Sequence, residues 1–218
     1  MAFKAFIFDL NGTMINDMDF HIKAWSQVLN EDLGANLGWE EVKKEMYGKN
    51  SELLVRIFGE DRFTDEEMHE LSIGKEQKYQ AAYKKHLKLI EGLPAFLANA
   101  QKSGISMAIG SAAIMFNIDF VLDNLDIRHY FSSIVSADDV KKSKPHPETY
   151  LEAAAKMSVL PKDCLVFEDA PKGVEAALNA GIQAVVITTM HEAHEFAAYP
   201  NIFCFISDYT DPQLKALL

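Results

Sequence analysis

Only two cysteines occur in the 218 residues, Cys164 and Cys204, and both fall inside apolar runs. That argues against a disulfide framework and for buried thiols in a reducing compartment. Basic residues are also scarce, with 21 Lys and Arg against 32 Asp and Glu, a formal net charge of −11. Such a balance disfavours nucleic-acid and anionic-membrane partners. No apolar run approaches membrane-spanning length, and the opening stretch Met1 to Asp9 is too short in apolar residues for a secretory signal. A cytoplasmic location is the expectation. Gly-x-Gly-x-x-Gly and Walker-type loops are missing, as are repeats, low-complexity tracts and long linkers. An acidic chain that binds a small phosphorylated metabolite must therefore supply lysines, backbone N–H groups and a metal locally.

What is present is an alternation of short apolar runs with helical segments. Ala5 to Phe8, Met107 to Ile109, Ile134-Val135, Leu165 to Phe167, Ala184 to Ile187 and Ile202 to Ile206 are bounded by Gly, Ser, Asp or Pro. They read as buried parallel strands. Helical stretches are predicted at roughly 93–103, 113–125, 147–157 and 171–180, the last opening near Pro171 and closing at Gly181. The alternation predicts an α/β fold: a Rossmann-like, doubly wound parallel sheet. One region breaks it. Residues 17–88 carry helical periodicity and no convincing strand, and Thr64-Asp65-Glu66-Glu67 is a capping-box pattern opening a long helix to about His86. The predicted organisation is a discontinuous α/β core, 1–16 with 89–218, and an inserted α-helical bundle cap, 17–88.

Open α/β sheets bind ligands at the carboxyl ends of their strands. Those ends carry Asp9-Leu10-Asn11-Gly12-Thr13, then Gly110-Ser111-Ala112, then Lys144-Pro145 after the third strand, then Glu168-Asp169. The groups are chemically complementary. Asp9 and Asp169 offer hard oxygen ligands to one Mg²⁺. Ser111, Lys144 and the N–H groups of the turn through Gly12 suit phosphate oxygens. Taken singly, each has an ordinary reading as a turn, cap or surface residue. Four at successive strand ends point to a phosphate site.

In these motifs the chain resembles the haloacid dehalogenase-like superfamily: Asp9-x-Asn11-Gly12-Thr13, Ser111, Lys144-Pro145, and Glu168-Asp169 with Gly173. Phe20-His21-x-x-Ala24-Trp25 and Lys144-Pro145-His146-Pro147 resemble its branch of β-phosphoglucomutases and sugar-phosphate phosphatases with an α-helical cap. The resemblance implies that Asp9 is phosphorylated during turnover, a covalent route that divides one hard displacement into two. It implies Mg²⁺ held by Asp9, the Asn11 carbonyl and Asp169, with Glu168 as a water-mediated or outer partner. Ser111 and Lys144 would hold the phosphoryl group, with Ala112 beside them. The implied activity is Mg²⁺-dependent hydrolysis of a small phosphorylated metabolite such as a sugar phosphate. A β-phosphoglucomutase-type phosphotransferase and a weakly catalytic phospholigand-binding protein are the alternatives. A monomer is expected.

Two departures stand out. The family's phosphatases and mutases carry an Asp two residues after the nucleophile as general acid and base, and here that residue is Asn11. An amide can donate a hydrogen bond but cannot exchange a proton at neutral pH. Proton transfer of this kind is worth about 10²–10⁴-fold in rate. Asn11 fits a slow or differently assisted phosphatase, an engineered substitution that traps a complex, or a binding protein. His21 is either a substitute proton shuttle or an ordinary helix histidine. In the cap, Tyr47-Gly48-Lys49-Asn50-Ser51 stands where the branch has Lys-Gly-x-x-Arg, which weakens the mutase alternative. Gly48, Lys49 and Lys75 are the remaining cap candidates for substrate contact, Lys75 reading also as a solvated helix lysine. His191-Glu192-Ala193-His194 has the wrong spacing for a zinc helix and reads as a solvated helix start.

Overall fold

The computed structural model describes residues 3–218. In chain order, β1 (Ala5–Phe8) is followed by four helices: α1 (Met18–Ser26), α2 (Trp39–Glu45), α3 (Asn50–Phe58) and α4 (Asp65–Tyr83). Then come α5 (Leu93–Lys102), β2 (Ser106–Gly110), α6 (Met115–Asn124), β3 (Ser133–Val135) and α7 (Glu148–Lys156). The chain closes through β4 (Cys164–Glu168), α8 (Pro171–Asn179), β5 (Gln183–Ile187) and β6 (Ile202–Ile206). It divides into two compact units, Met1–Asn16 with Lys88–Leu218 and Asp17–Leu87.

In the first unit the six strands form one parallel sheet in the order β3-β2-β1-β4-β5-β6. The chain grows outward from β1 to β3, then returns to lay β4 on the other side of β1. Strand order therefore reverses between β1 and β4, the place where open α/β sheets hold ligands. Register puts Phe8 beside Phe167 on one flank and Ile109 on the other, so Asp9 emerges beside Glu168. Side chains of β1 alternate between two buried layers. Ala5 and Ile7 join Tyr150, Ala153, Val166 and Val174 under α7 and α8. Phe6 and Phe8 pack with Phe96, Phe167 and Tyr209, the rings of Phe8 and Phe167 stacked 4.6 Å apart. Cys164 and Cys204 are buried free thiols in β4 and β6.

The second unit is helical. Thr64 caps α4 as its capping-box pattern requires: its hydroxyl accepts from the Glu67 N–H at 3.2 Å, and the Glu67 carboxylate accepts the Thr64 N–H at 2.8 Å. The helix ends at Tyr83, three residues short of the expected His86. α1 runs on into a π-helical stretch, Gln27–Asp32, which its periodicity did not signal. Ile22, Ala24, Trp25, Val28, Leu53, Leu54, Tyr79 and Tyr83 are buried.

Gly92 starts α5 at φ +79°, and a Cβ there would lie 2.5 Å from the Tyr209 carbonyl carbon. A left-handed non-glycine residue alone costs about 1–3 kcal/mol. Gly92→Ala is therefore expected to lower unfolding free energy by at least that much in urea titration. A midpoint unchanged from the parent would show that the backbone relaxes instead.

Candidate active site

The ends of β1 and β4 and the loop after β3 meet at Asp9. Its own N–H donates to the Phe167 carbonyl at 3.0 Å, which fixes the residue as a continuation of the β1–β4 ladder. The chain then turns through Gly12 at φ +76°, where a Cβ would fall inside the Asp169 carboxylate. Only glycine permits that approach. The Thr13 hydroxyl donates to Asp169 Oδ1 at 3.3 Å, and Thr189 Oγ1 donates to the Gly12 carbonyl at 2.6 Å. The turn is thus held against β4 and the loop after β5.

Asp9, Glu168 and Asp169 are all buried, and each offers a carboxylate oxygen within 4.8 Å of the others. Among the described residues, the cation in hydrogen-bonding contact with this group is Lys144. Its ammonium donates to Asp9 Oδ1 and to Glu168 Oε1, both at 2.7 Å. Glu168 is fully engaged. Oε1 also accepts from the Tyr150 hydroxyl at 2.7 Å, and Oε2 accepts the N–H groups of Asp169 and Ala170 at 2.9 and 3.0 Å. Gly173, on the first turn of α8, leaves space that a Cβ would take from that carboxylate.

These contacts set the electrostatics. Burial alone pulls the Lys144 ammonium down, but the charges of Asp9 and Glu168 outweigh it, and its pKa lies above the usual lysine range. Burial and then the charges of Glu168 and Asp9 push the Asp169 carboxyl well above the usual carboxylate range, against the opposing pull of Lys144 and Thr13. Burial, then Glu168 and Asp9, raise Tyr150 in the same way. Three clustered carboxylates facing one lysine form a site short of positive charge. All donors are hard oxygens, the chemistry that suits a small divalent cation.

Ser111 is buried at the end of β2, where its N–H donates to the Val135 carbonyl at 3.0 Å and its Oγ accepts from the Ala113 N–H at 3.1 Å. It closes its own turn, and α6 begins four residues later at Met115 rather than near 113. Ala112 is partly buried in that turn, and Asn11 is partly buried beyond Asp9.

The cap candidates lie in the helical unit. Lys75 is not a solvated helix lysine: it is 2% exposed, with its ammonium on both Glu76 oxygens, at 2.9 and 3.0 Å, and 2.7 Å from His21 Nδ1. Burial lowers its pKa, only partly opposed by Glu76. His21 Nε2 lies 3.3 Å from Asp17 Oδ2, which also accepts from Tyr79 OH at 2.5 Å. Lysine donation to Nδ1 places the imidazole proton on Nε2, toward Asp17. Gly48 takes φ +74°. Lys49 precedes α3, its N–H donating to Glu52 at 3.0 Å. His191 precedes a short 3₁₀ turn, Ala193–Phe196, and His194 lies within it; they pair with Glu195 and Glu192.

Sequence reasoning overlooked Tyr150 and Asp17. Tyr150 lies three residues after Pro147, on the first turn of α7, with its ring 4.7 Å from the Lys144 ammonium. An aromatic hydroxyl on the inner face of a helix was the available signal. Asp17 follows the first motif, but nothing in its local sequence marks it as the acceptor for Tyr79.

The geometry has counterparts in known proteins. A model of the haloacid dehalogenase-like hydrolase family matches residues 6–187. Fructose-1-phosphate phosphatase YqaB of Escherichia coli is 34% identical over 189 residues, covering 84% of this chain and 95% of its own. β-Phosphoglucomutase of Bacillus subtilis is 33% identical over 187 residues, covering 84% and 82%. Among solved structures, β-phosphoglucomutase from Clostridium difficile has a TM-score of 0.85 at 25% identity, covering 100% of this chain and 96% of its own.

Because the Asp169 pKa is raised in the fold, the folded protein holds that proton more tightly than the unfolded chain. In chelator, stability is therefore expected to rise as pH falls from the raised value toward the ordinary carboxylate range. Asp169→Asn should melt higher than the parent at neutral pH without metal, and should lose this acid-side gain. Thermal melts across pH in chelator test it; a variant that melts lower at neutral pH would contradict the charge imbalance.

Proposed function

The chain belongs to the haloacid dehalogenase-like hydrolase family, an enzyme family, and on that premise we propose that it is a Mg²⁺-dependent phosphatase whose nucleophile is Asp9. Its substrate is a small phosphorylated metabolite, and relatives named as a fructose-1-phosphate phosphatase and a β-phosphoglucomutase favour sugar phosphates. One observation supports the reading above the rest. A carboxylate at the reversal point of the sheet is paired with a buried lysine, beside two further buried carboxylates.

The chemistry follows from charge. Asp9 attacks phosphorus, the bond to the leaving oxygen breaks, and a phospho-aspartate forms; water then returns the carboxylate. An anionic nucleophile and an anionic phosphate repel each other. Lys144 offsets that repulsion while held in place by Glu168, whose own position depends on Tyr150 and two backbone N–H groups. Ser111 and the N–H groups of the turn after Asp9 bind phosphoryl oxygens. Asp9, the Asn11 carbonyl and Asp169 would hold Mg²⁺, with Glu168 as an outer partner. Bound there, the ion supplies the positive charge that the site lacks and stabilises the phosphoryl oxygens. Most of the acceleration is then positional and electrostatic.

A phosphate-release panel with Mg²⁺ should find turnover that chelator removes. Asp9→Asn, nearly isosteric, should lower it by ~10⁴-fold or more, the scale on which removing a nucleophile acts. Turnover surviving in that variant would reject Asp9. Phosphorus-31 NMR with glucose 1-phosphate should show inorganic phosphate; conversion to glucose 6-phosphate would make the enzyme a mutase instead.

A further inference from the structure

Around Asp9, the protons of four side chains of the α/β unit are committed to hydrogen bonds. The Tyr150 hydroxyl gives its proton to Glu168, and the Tyr209 hydroxyl donates to the Thr13 carbonyl at 3.1 Å. The Thr13 hydroxyl donates to Asp169, and the Lys144 ammonium is shared between two carboxylates. Both Glu168 oxygens are taken up as acceptors, Oε1 by Lys144 and Tyr150 and Oε2 by the N–H groups of Asp169 and Ala170. Asn11, two residues past Asp9, carries an amide that exchanges no proton at neutral pH. The unit's histidines are occupied elsewhere: His146 faces Glu148, His191 faces Glu195, His194 faces Glu192, and His129 packs on Tyr130. In the helical unit, His21 has both ring nitrogens in contact with Lys75 and Asp17 of that same unit.

From this inventory, and resting on the reading of Asp9 as nucleophile, we infer that the enzyme expels its leaving group unprotonated. Acyl phosphates and phosphoanhydrides are then its fast substrates. Alkyl phosphates are slow, with a sugar phosphorylated at its more acidic anomeric hydroxyl ahead of one phosphorylated at a primary hydroxyl. The steps balance without a general acid. An Asp9 oxygen forms the new bond to phosphorus, and the bond to the leaving oxygen breaks with its electron pair kept there. An acetate or phosphate anion needs no proton to depart, whereas an alkoxide does. Water then attacks phosphorus, the bond to Asp9 breaks with its pair returning to the carboxylate, and the water proton passes to the solvent.

Substituted phenyl phosphates, close in shape and graded in leaving-group acidity, test this directly on the unmodified protein with Mg²⁺. The rate kcat/KM should climb steeply with leaving-group acidity, and acetyl phosphate should exceed glycerol phosphate by about 10²–10⁴-fold, the usual worth of general acid catalysis. Asn11→Asp should raise the rate on glycerol phosphate relative to that on acetyl phosphate by a similar factor, flattening the series. A shallow series in the unmodified protein, or equal turnover of acetyl and glycerol phosphates, would overturn the inference and leave the phosphatase reading standing. No release from any of these substrates, with no phosphate on Asp9 by mass spectrometry, would overturn both.

Discussion

A single ammonium group, that of Lys144, holds the site together. Three buried carboxylates within 4.8 Å of one another repel strongly at low dielectric, and one lysine bridging two of them at 2.7 Å is the charge that offsets it. The rest of the α/β unit is arranged around that contact. Tyr150 supports the lysine with its ring and Glu168 with its hydroxyl, and two backbone N–H groups at the head of α8 complete Glu168. Gly12 and Gly173 give up side chains so that Asp169 and Glu168 can lie where they do. Even so, the balance remains negative, and burial together with that charge pushes the Asp169 carboxyl well up.

Sheet topology makes this arrangement possible. Asp9 and Glu168 sit side by side because β1 and β4 are neighbours, and 158 residues of chain separate them only through the return crossover. Stacked Phe8 and Phe167, one residue back on each strand, lock that register from the apolar side. A slip of one residue would turn those rings into the opposite buried layer and displace the carboxylates with them. Packing and chemistry are therefore fixed by the same pairing.

The helical unit holds a second buried polar cluster, built on different terms. Lys75, Glu76, His21, Asp17 and Tyr79 satisfy one another within it, and Asn50 adds a hydrogen bond to Glu76 at 2.8 Å. The His21 ring stacks on Tyr79 at 3.7 Å between centroids. One lysine faces two carboxylates there, a closer match of charge than the one lysine against three at the Asp9 site. Such matching orders a bundle whose longest helix, α4, carries few apolar residues.

Short apolar runs ending in Asp, Ser or Glu, separated by helical periods, determined by themselves that the chain makes a parallel α/β sheet with a helical insertion. Burial of a two-sided strand leaves little choice of residue, so β1, β4, β5 and β6 were legible almost to their ends. Asp9, Ser111, Lys144 and Glu168-Asp169 were legible as candidates for the related reason that such a sheet binds ligands at its strand ends. Which of them touch was not. Whether Lys144 meets Asp9, whether Tyr150 lies beneath it, and whether Lys75 is solvated or buried are all decided by partners distant in the sequence. No local pattern encodes a contact across 135 residues, such as that of Lys144 with Asp9; only the tertiary fold, by closing β1 against β4 and seating α7 over them, decides it.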